Sequence, residues 1–183
     1  FPVEGPDEFN AVAEALDYGV LEYVGGAAVR TQLAPRVFTA NEAPATEKIP
    51  FHHEMAQVPR FPTHLLFYAD IPAETGGETP ILPSSEVCRR LEQRFPAQMR
   101  KLEQTGVQYV RVMPDQDDAS SAIGRSWRST FLTEDKPTAE SKLQQLGSSW
   151  EWLGDGNLKT VTAVLPAIKV CVLRLLMKPW RAH

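Results

Sequence analysis

Proline sets the grain of this chain. Fifteen prolines stand against eleven glycines in 183 residues. Each proline fixes its φ at about −65° and removes a backbone donor, so helices cannot run far where prolines recur. The pattern suits strands joined by shaped loops better than a helix bundle. Between the prolines the apolar runs are short and unevenly spaced, and no strand–helix–strand rhythm is sustained. That predicts a mainly β chain with short helices (α+β), an antiparallel double-sheet architecture of the jelly-roll kind. A doubly wound α/β fold is the weaker alternative.

Taken in order, Asp7 is expected to cap a helix to Leu16, with Phe9, Val12 and Leu16 on one face and Gly19 ending it. Arg36-Val37-Phe38-Thr39 reads as a short strand, and Thr63 to Ala69 as an apolar core strand. Gly76-Gly77 marks a tight turn before an extended Thr79-Pro80-Ile81-Leu82. Ser84 or Ser85 is expected to cap a helix carrying Val87, Leu91 and Phe95. Pro96 opens another, with Met99 and Leu102, closed by Gly106. Val107 to Met113 reads as a strand and Asp115 to Ser121 as a polar loop. Pro137 starts a helix with Ala139, Leu143 and Leu146 inward, stopped by Gly147. Trp150 and Trp152 alternate in a strand, and Asp155-Gly156 turns the chain back through Leu158 to Val164.

A formal net charge of −4 gives no reason to expect a nucleic-acid partner. Cys88 and Cys171 lie far apart with no CxxC, which fits a reducing compartment such as the cytoplasm, and Cys88 is expected to be a buried, inert thiol. Val164 to Met177 is too short and too charged to span a membrane. The chain opens on Phe1 rather than Met, in mid-pattern, so its first residue is expected to lie inside a longer sequence.

The chemistry concentrates in Ile49-Pro50-Phe51-His52-His53-Glu54-Met55-Ala56. If this segment is extended, His52 and Glu54 share a face and His53 points away. An imidazole beside a carboxylate is two-thirds of the 2-His-1-carboxylate triad that holds Fe(II) in non-haem oxygenases. The same spacing also describes an ordinary histidine beside a solvated glutamate, and spacing alone does not decide between them. Zinc has less support, since no His-Glu-x-x-His helix or cysteine cluster is present. His64 lies in the next extended run. Asn41, Arg125, Trp127 and Arg128 are equally readable as pocket or structural residues.

Wider motifs narrow the choice. Ile49 to Pro59 is joined by Gly76-Gly77-Glu78-Thr79-Pro80-Ile81, Tyr23-Val24-Gly25-Gly26-Ala27-Ala28, Val37 to Glu42, Ile123-Gly124-Arg125-Ser126-Trp127 and Leu165-Pro166-Ala167-Ile168-Lys169. Together they resemble the TauD/TfdA-like dioxygenases, most nearly the plant-type clavaminate synthase-like branch, from Phe1 to about Lys169. The resemblance implies a double-stranded β-helix that binds Fe(II) and uses 2-oxoglutarate and O2 to oxidise a small molecule. By position it makes His52 and Glu54 metal ligands and Thr79 a residue that binds 2-oxoglutarate. It also implies a distal histidine and a co-substrate arginine beyond Lys169. The fourteen residues that follow Lys169 offer neither in recognisable form, and His183 is a poor substitute because a terminal residue lacks support. The expected organisation is therefore residues 1–169 as an oxygenase domain incomplete at its C-terminal end, and 170–183 as an atypical tail. Two functions follow: an oxygenase represented by an incomplete chain, or an inactive truncated form that binds or regulates.

Overall fold

The computed structural model describes residues 3–21, 23–40 and 42–169. Three strands carry the best-packed part: β3 (Val110–Met113), β4 (Ser149–Trp152) and β5 (Leu158–Val161). They form an antiparallel sheet in the order β3-β5-β4, with Met113 opposite Leu158 and Trp152 opposite the same residue from the other side. The Asp155-Gly156 turn is as expected. Gly156 takes φ 85°, and Leu153 N donates to Asn157 O at 2.9 Å.

Two helices close one face of this sheet. In α4 (Trp127–Phe131), the Ser126 side chain accepts from Ser129 N at the N-cap. In α5 (Lys136–Gln145), Asp135 accepts from Thr138 N. Gly147, at φ 68°, stops the latter as predicted. Met113, Trp127, Phe131, Ala139, Leu143 and Leu158 form one buried cluster, with Leu146, Trp150 and Trp152 against it. Trp127 and Trp152 meet edge to face, 5.0 Å between centroids, and Trp152 Nε1 donates to Glu140 Oε1 at 2.6 Å. Burying a side chain such as Leu143 or Leu158 contributes about 1.5–3 kcal/mol.

The N-terminal part is smaller. Helix α1 (Pro6–Ala15) packs on a two-stranded ribbon of β1 (Gln32–Ala34) and β2 (Val37–Phe38). Buried Asn10 joins them, its Oδ1 accepting from Arg36 N at 3.0 Å. The helix starts earlier than expected. Pro6 takes the first helical position, where a missing N–H costs nothing, so Gly5 and not Asp7 is the N-cap. It also ends before Gly19, because Asp17 adopts φ 52°.

Helices α2 (Ser84–Arg94) and α3 (Pro96–Thr105) match the expected pair, and Gly106 ends the second at φ 67°. The cap of α2 is Pro83, not Ser84 or Ser85, and no side chain caps it. The expected core strand at Thr63 to Ala69 is not formed. Leu65, Leu66 and Phe67 are exposed, and Thr79 to Leu82 is irregular as well. A strand needs a ladder partner, and neither run has one among the described residues. The pairings among named strands are antiparallel, but more residues lie in helices than in strands. The described residues do not form a complete jelly roll. No described helix is long and apolar enough to cross a membrane. Cys88 is only partly buried, and burial with nearby Glu92 raises its thiol pKa. Cys171 lies outside the described residues.

Candidate metal site

The His52–Glu54 pair is built by a turn rather than a strand. Residues 51–53 are irregular, and the chain turns over 54–57 with Met55 at φ 55° and Val58 N donating to Met55 O at 3.2 Å. Buried Met55 and Val58 anchor that turn, while Glu54 is partly exposed. The outcome for the side chains is the one the extended reading predicted. His52 Nε2 lies 3.8 Å from Glu54 Oε2, and His53 departs to place its Nε2 2.6 Å from Ser84 Oγ.

The remaining atoms of the pair are committed elsewhere. His52 Nδ1 is 2.9 Å from Pro50 O. A carbonyl only accepts, so as a hydrogen bond that contact has Nδ1 as the donor, while Nε2 faces Glu54. Glu54 Oε1 accepts from Arg30 Nη2 at 3.1 Å, leaving Oε2 toward His52. Ligands about 2 Å from one ion lie no more than about 4 Å apart. Neighbouring ligands of one such ion lie about 3 Å apart, so the nitrogen and oxygen stand side by side at a separation that must close by slightly under about 1 Å to share a cation, and the 57% exposure of the His52 side chain leaves the pair accessible. Two donors do not close a site. Among the described residues no group of three or more His, Cys, Asp or Glu is placed to hold a metal. His64 instead stacks on Tyr18 at 4.1 Å, and His183 lies outside the described residues.

Arg30 belongs to a cationic cluster that local spacing does not reveal. Its guanidinium carbon and that of Arg125 each lie 4.7 Å from the Tyr23 ring centroid. Arg125 Nη1 donates to Tyr23 O at 2.8 Å. Arg111 donates to Gly26 O at 3.3 Å and to Arg125 O at 2.7 Å. Burial, helped by the neighbouring Arg125 charge, brings the Arg111 pKa down to about 10. Burial also lowers that of Arg125. Gly25 N donates to Thr130 O at 3.0 Å, and Gln57 Nε2 donates to Gly25 O at 2.8 Å. The loop over residues 23–28 is thus clasped between β3, α4 and the turn that carries Glu54.

Several of the sequence motifs converge here. Arg125 N donates to Ala27 O, and Lys169 Nζ reaches Ala56 O at 3.5 Å while lying 4.3 Å over the Phe61 ring. Trp127 is core, and Arg128 pairs with Asp115 and Glu134. Asn41 lies outside the described residues. Gly76 and Gly77 both take positive φ, as the turn required. Thr79 beyond them is exposed and makes no hydrogen bond to His52 or Glu54. A cavity of about 240 Å³ borders Gln57, Val58 and Pro59 on one side and Arg111, Met113 and Thr160 on the other; neither His52 nor Glu54 lines it.

Residues 1–147 match the Taurine catabolism dioxygenase TauD, TfdA family. The chain belongs to that family. It is 53% identical over 169 residues, 92% of its length, to a clavaminate synthase-like protein of Arabidopsis thaliana, covering 51% of that protein. It is 31% identical over 160 residues, 87% of its length, to the dapdiamide synthesis protein DdaC of Enterobacter agglomerans, covering 46% of it. The chain spans about half the length of these relatives.

Proposed function

We propose that the chain carries the first part of the iron site of an Fe(II)- and 2-oxoglutarate-dependent oxygenase. His52 Nε2 and Glu54 Oε2 serve as two ligands, and Thr79 contacts the co-substrate with its hydroxyl. Residues 1–169 form part of the double-stranded β-helix domain, and 170–183 are a tail of atypical sequence. The observation that carries this is the His52–Glu54 pairing at 3.8 Å, with each side chain's other polar atom already held. Family membership supplies the choice of iron over other divalent ions. The relatives' names support a small-molecule substrate.

Bound together, Fe(II) and 2-oxoglutarate would activate O2, which is the oxidant: one oxygen atom would oxidise 2-oxoglutarate to succinate and carbon dioxide and the other would oxidise the substrate. The chain's own residues bind and orient. Pro50 O lies beside His52 Nδ1 and orients the ring, so Nε2 is the nitrogen turned toward Glu54. Arg30 holds one oxygen of Glu54 and leaves the other free. Thr79 has a hydroxyl able to donate to a carboxylate. No described feature favours the non-catalytic reading over this one.

The test is an anaerobic titration of the purified chain with Fe(II) and 2-oxoglutarate, followed by the visible charge-transfer band of the chelate. The band is expected in the intact chain and lost in both His52→Ala and Glu54→Ala. An intact chain without the band, or a band surviving both variants, overturns the assignment.

A further inference from the structure

We propose that Arg30 is a positioning residue for the metal pair: it holds Glu54 by Oε1 and so fixes the oxygen, and the angle, presented beside His52 Nε2. The inference rests on the reading of His52 and Glu54 as ligands.

Glutamate has three side-chain torsions, and a free Glu54 would sample many directions from a turn. Arg30 Nη2 removes that freedom with a charge-assisted bond of 3.1 Å, made where the two side chains are only 21% and 17% exposed. The arginine is itself held. Its guanidinium lies against Tyr23, whose hydroxyl accepts from Ala28 N at 3.3 Å and whose carbonyl accepts from Arg125. Gly26 O and Gly25 N are tied to Arg111 and Thr130, so the platform under Arg30 is an extension of the β3–α4 core. Arg30 Nε is buried without a partner. Leaving a donor unsatisfied costs stability, which a loop arginine placed only for solubility would avoid by turning outward. Here the guanidinium stays in, stacked on the ring and aimed at one carboxylate oxygen.

A simple charge effect predicts the opposite of positioning. A guanidinium near a cation site repels the cation, so removing it tightens binding. Positioning predicts weaker binding when it is removed, because outer partners of metal ligands are typically worth about 10–100-fold in affinity.

The experiment titrates the full chain with Co(II), reading affinity and the visible ligand-field band. Arg30→Met is expected to weaken Co(II) binding by about tenfold or more and to shift or broaden the band. Arg30→Lys keeps the charge and loses the planar fork; it is expected to bind more weakly than the intact chain and better than Arg30→Met. Circular dichroism and melting temperature of each variant check folding, and Arg30→Lys carries the test if Arg30→Met does not fold. Unchanged or tighter Co(II) binding with an unaltered band, whatever the melting temperature, overturns the inference while leaving the ligand reading intact. Absence of binding by the intact chain overturns the ligand reading, and this inference with it.

Discussion

His53 Nε2 lies 2.6 Å from Ser84 Oγ, so the residue between the two proposed ligands is tied to the first turn of α2. The adjacent histidines therefore have different work. His52 faces Glu54, whereas His53 faces a helix, and both are exposed. His53→Ala is expected to leave Co(II) affinity within about threefold of the intact chain, since it removes one solvent-exposed hydrogen bond worth about 1 kcal/mol or less. Equal losses in His52→Ala and His53→Ala, measured by the same titration, would contradict this division.

Packing energy is concentrated in the C-terminal core, and substitutions should report it. Leu143 is buried in the cluster with Trp127 and Leu158. Leu143→Ala is expected to destabilise the chain by about 2–5 kcal/mol in urea unfolding. Phe67, 72% exposed, loses little by truncation, and Phe67→Ala is expected to fall within about 0.5 kcal/mol of the intact chain. A large loss at Phe67 would show that the run over residues 63–69 packs as a core strand after all.

Asp135 provides a pH-dependent cap. Its side chain accepts from Thr138 at the start of α5, and these hydrogen bonds lower its pKa below the ordinary 3.8. A carboxylate with a depressed folded pKa contributes stability above its unfolded value and loses it as pH falls through the folded one. Melting temperature is therefore expected to be lower in Asp135→Ala at neutral pH, with the gap closing below about pH 3.8. Asp135→Asn, a cap that does not titrate, should keep most of the stability and remove this part of the pH dependence. A gap that persists unchanged in acid would rule out the carboxylate as its source.

These contrasts explain what the sequence made legible. The helix read from Pro137, which the structure starts one residue earlier at Lys136, the Asp155-Gly156 hairpin and the Pro96 and Gly106 boundaries rest on local rules of φ preference and periodicity, and they were readable. Thr63 to Ala69 satisfied the same apolar pattern, but a strand is defined by its partner, which no local window contains. At the site, the shared face of His52 and Glu54 was legible from a two-residue offset, although a turn and not a strand achieves it. Arg30 was not. It stands 24 residues before Glu54, and only the folded path of the Tyr23 loop brings them together. The Tyr23-Val24-Gly25-Gly26 motif was the available hint.

That motif has its own steric logic. Gly26 packs so closely on Tyr23 that a Cβ added there would clash with the Cζ end of the phenol ring. The ring in turn carries Arg30 and Arg125. Gly26→Ala must displace the ring or the loop, and overpacking of this kind costs about 1–3 kcal/mol. The consequence should extend to the metal pair, because moving Tyr23 moves the platform that holds Arg30 against Glu54. Gly26→Ala is thus expected both to lower the melting temperature and to weaken Co(II) binding. By comparison, Gly19→Ala, where an added Cβ meets open space, should change neither. Loss of stability in Gly26→Ala with full retention of Co(II) affinity would uncouple the Tyr23 platform from Glu54.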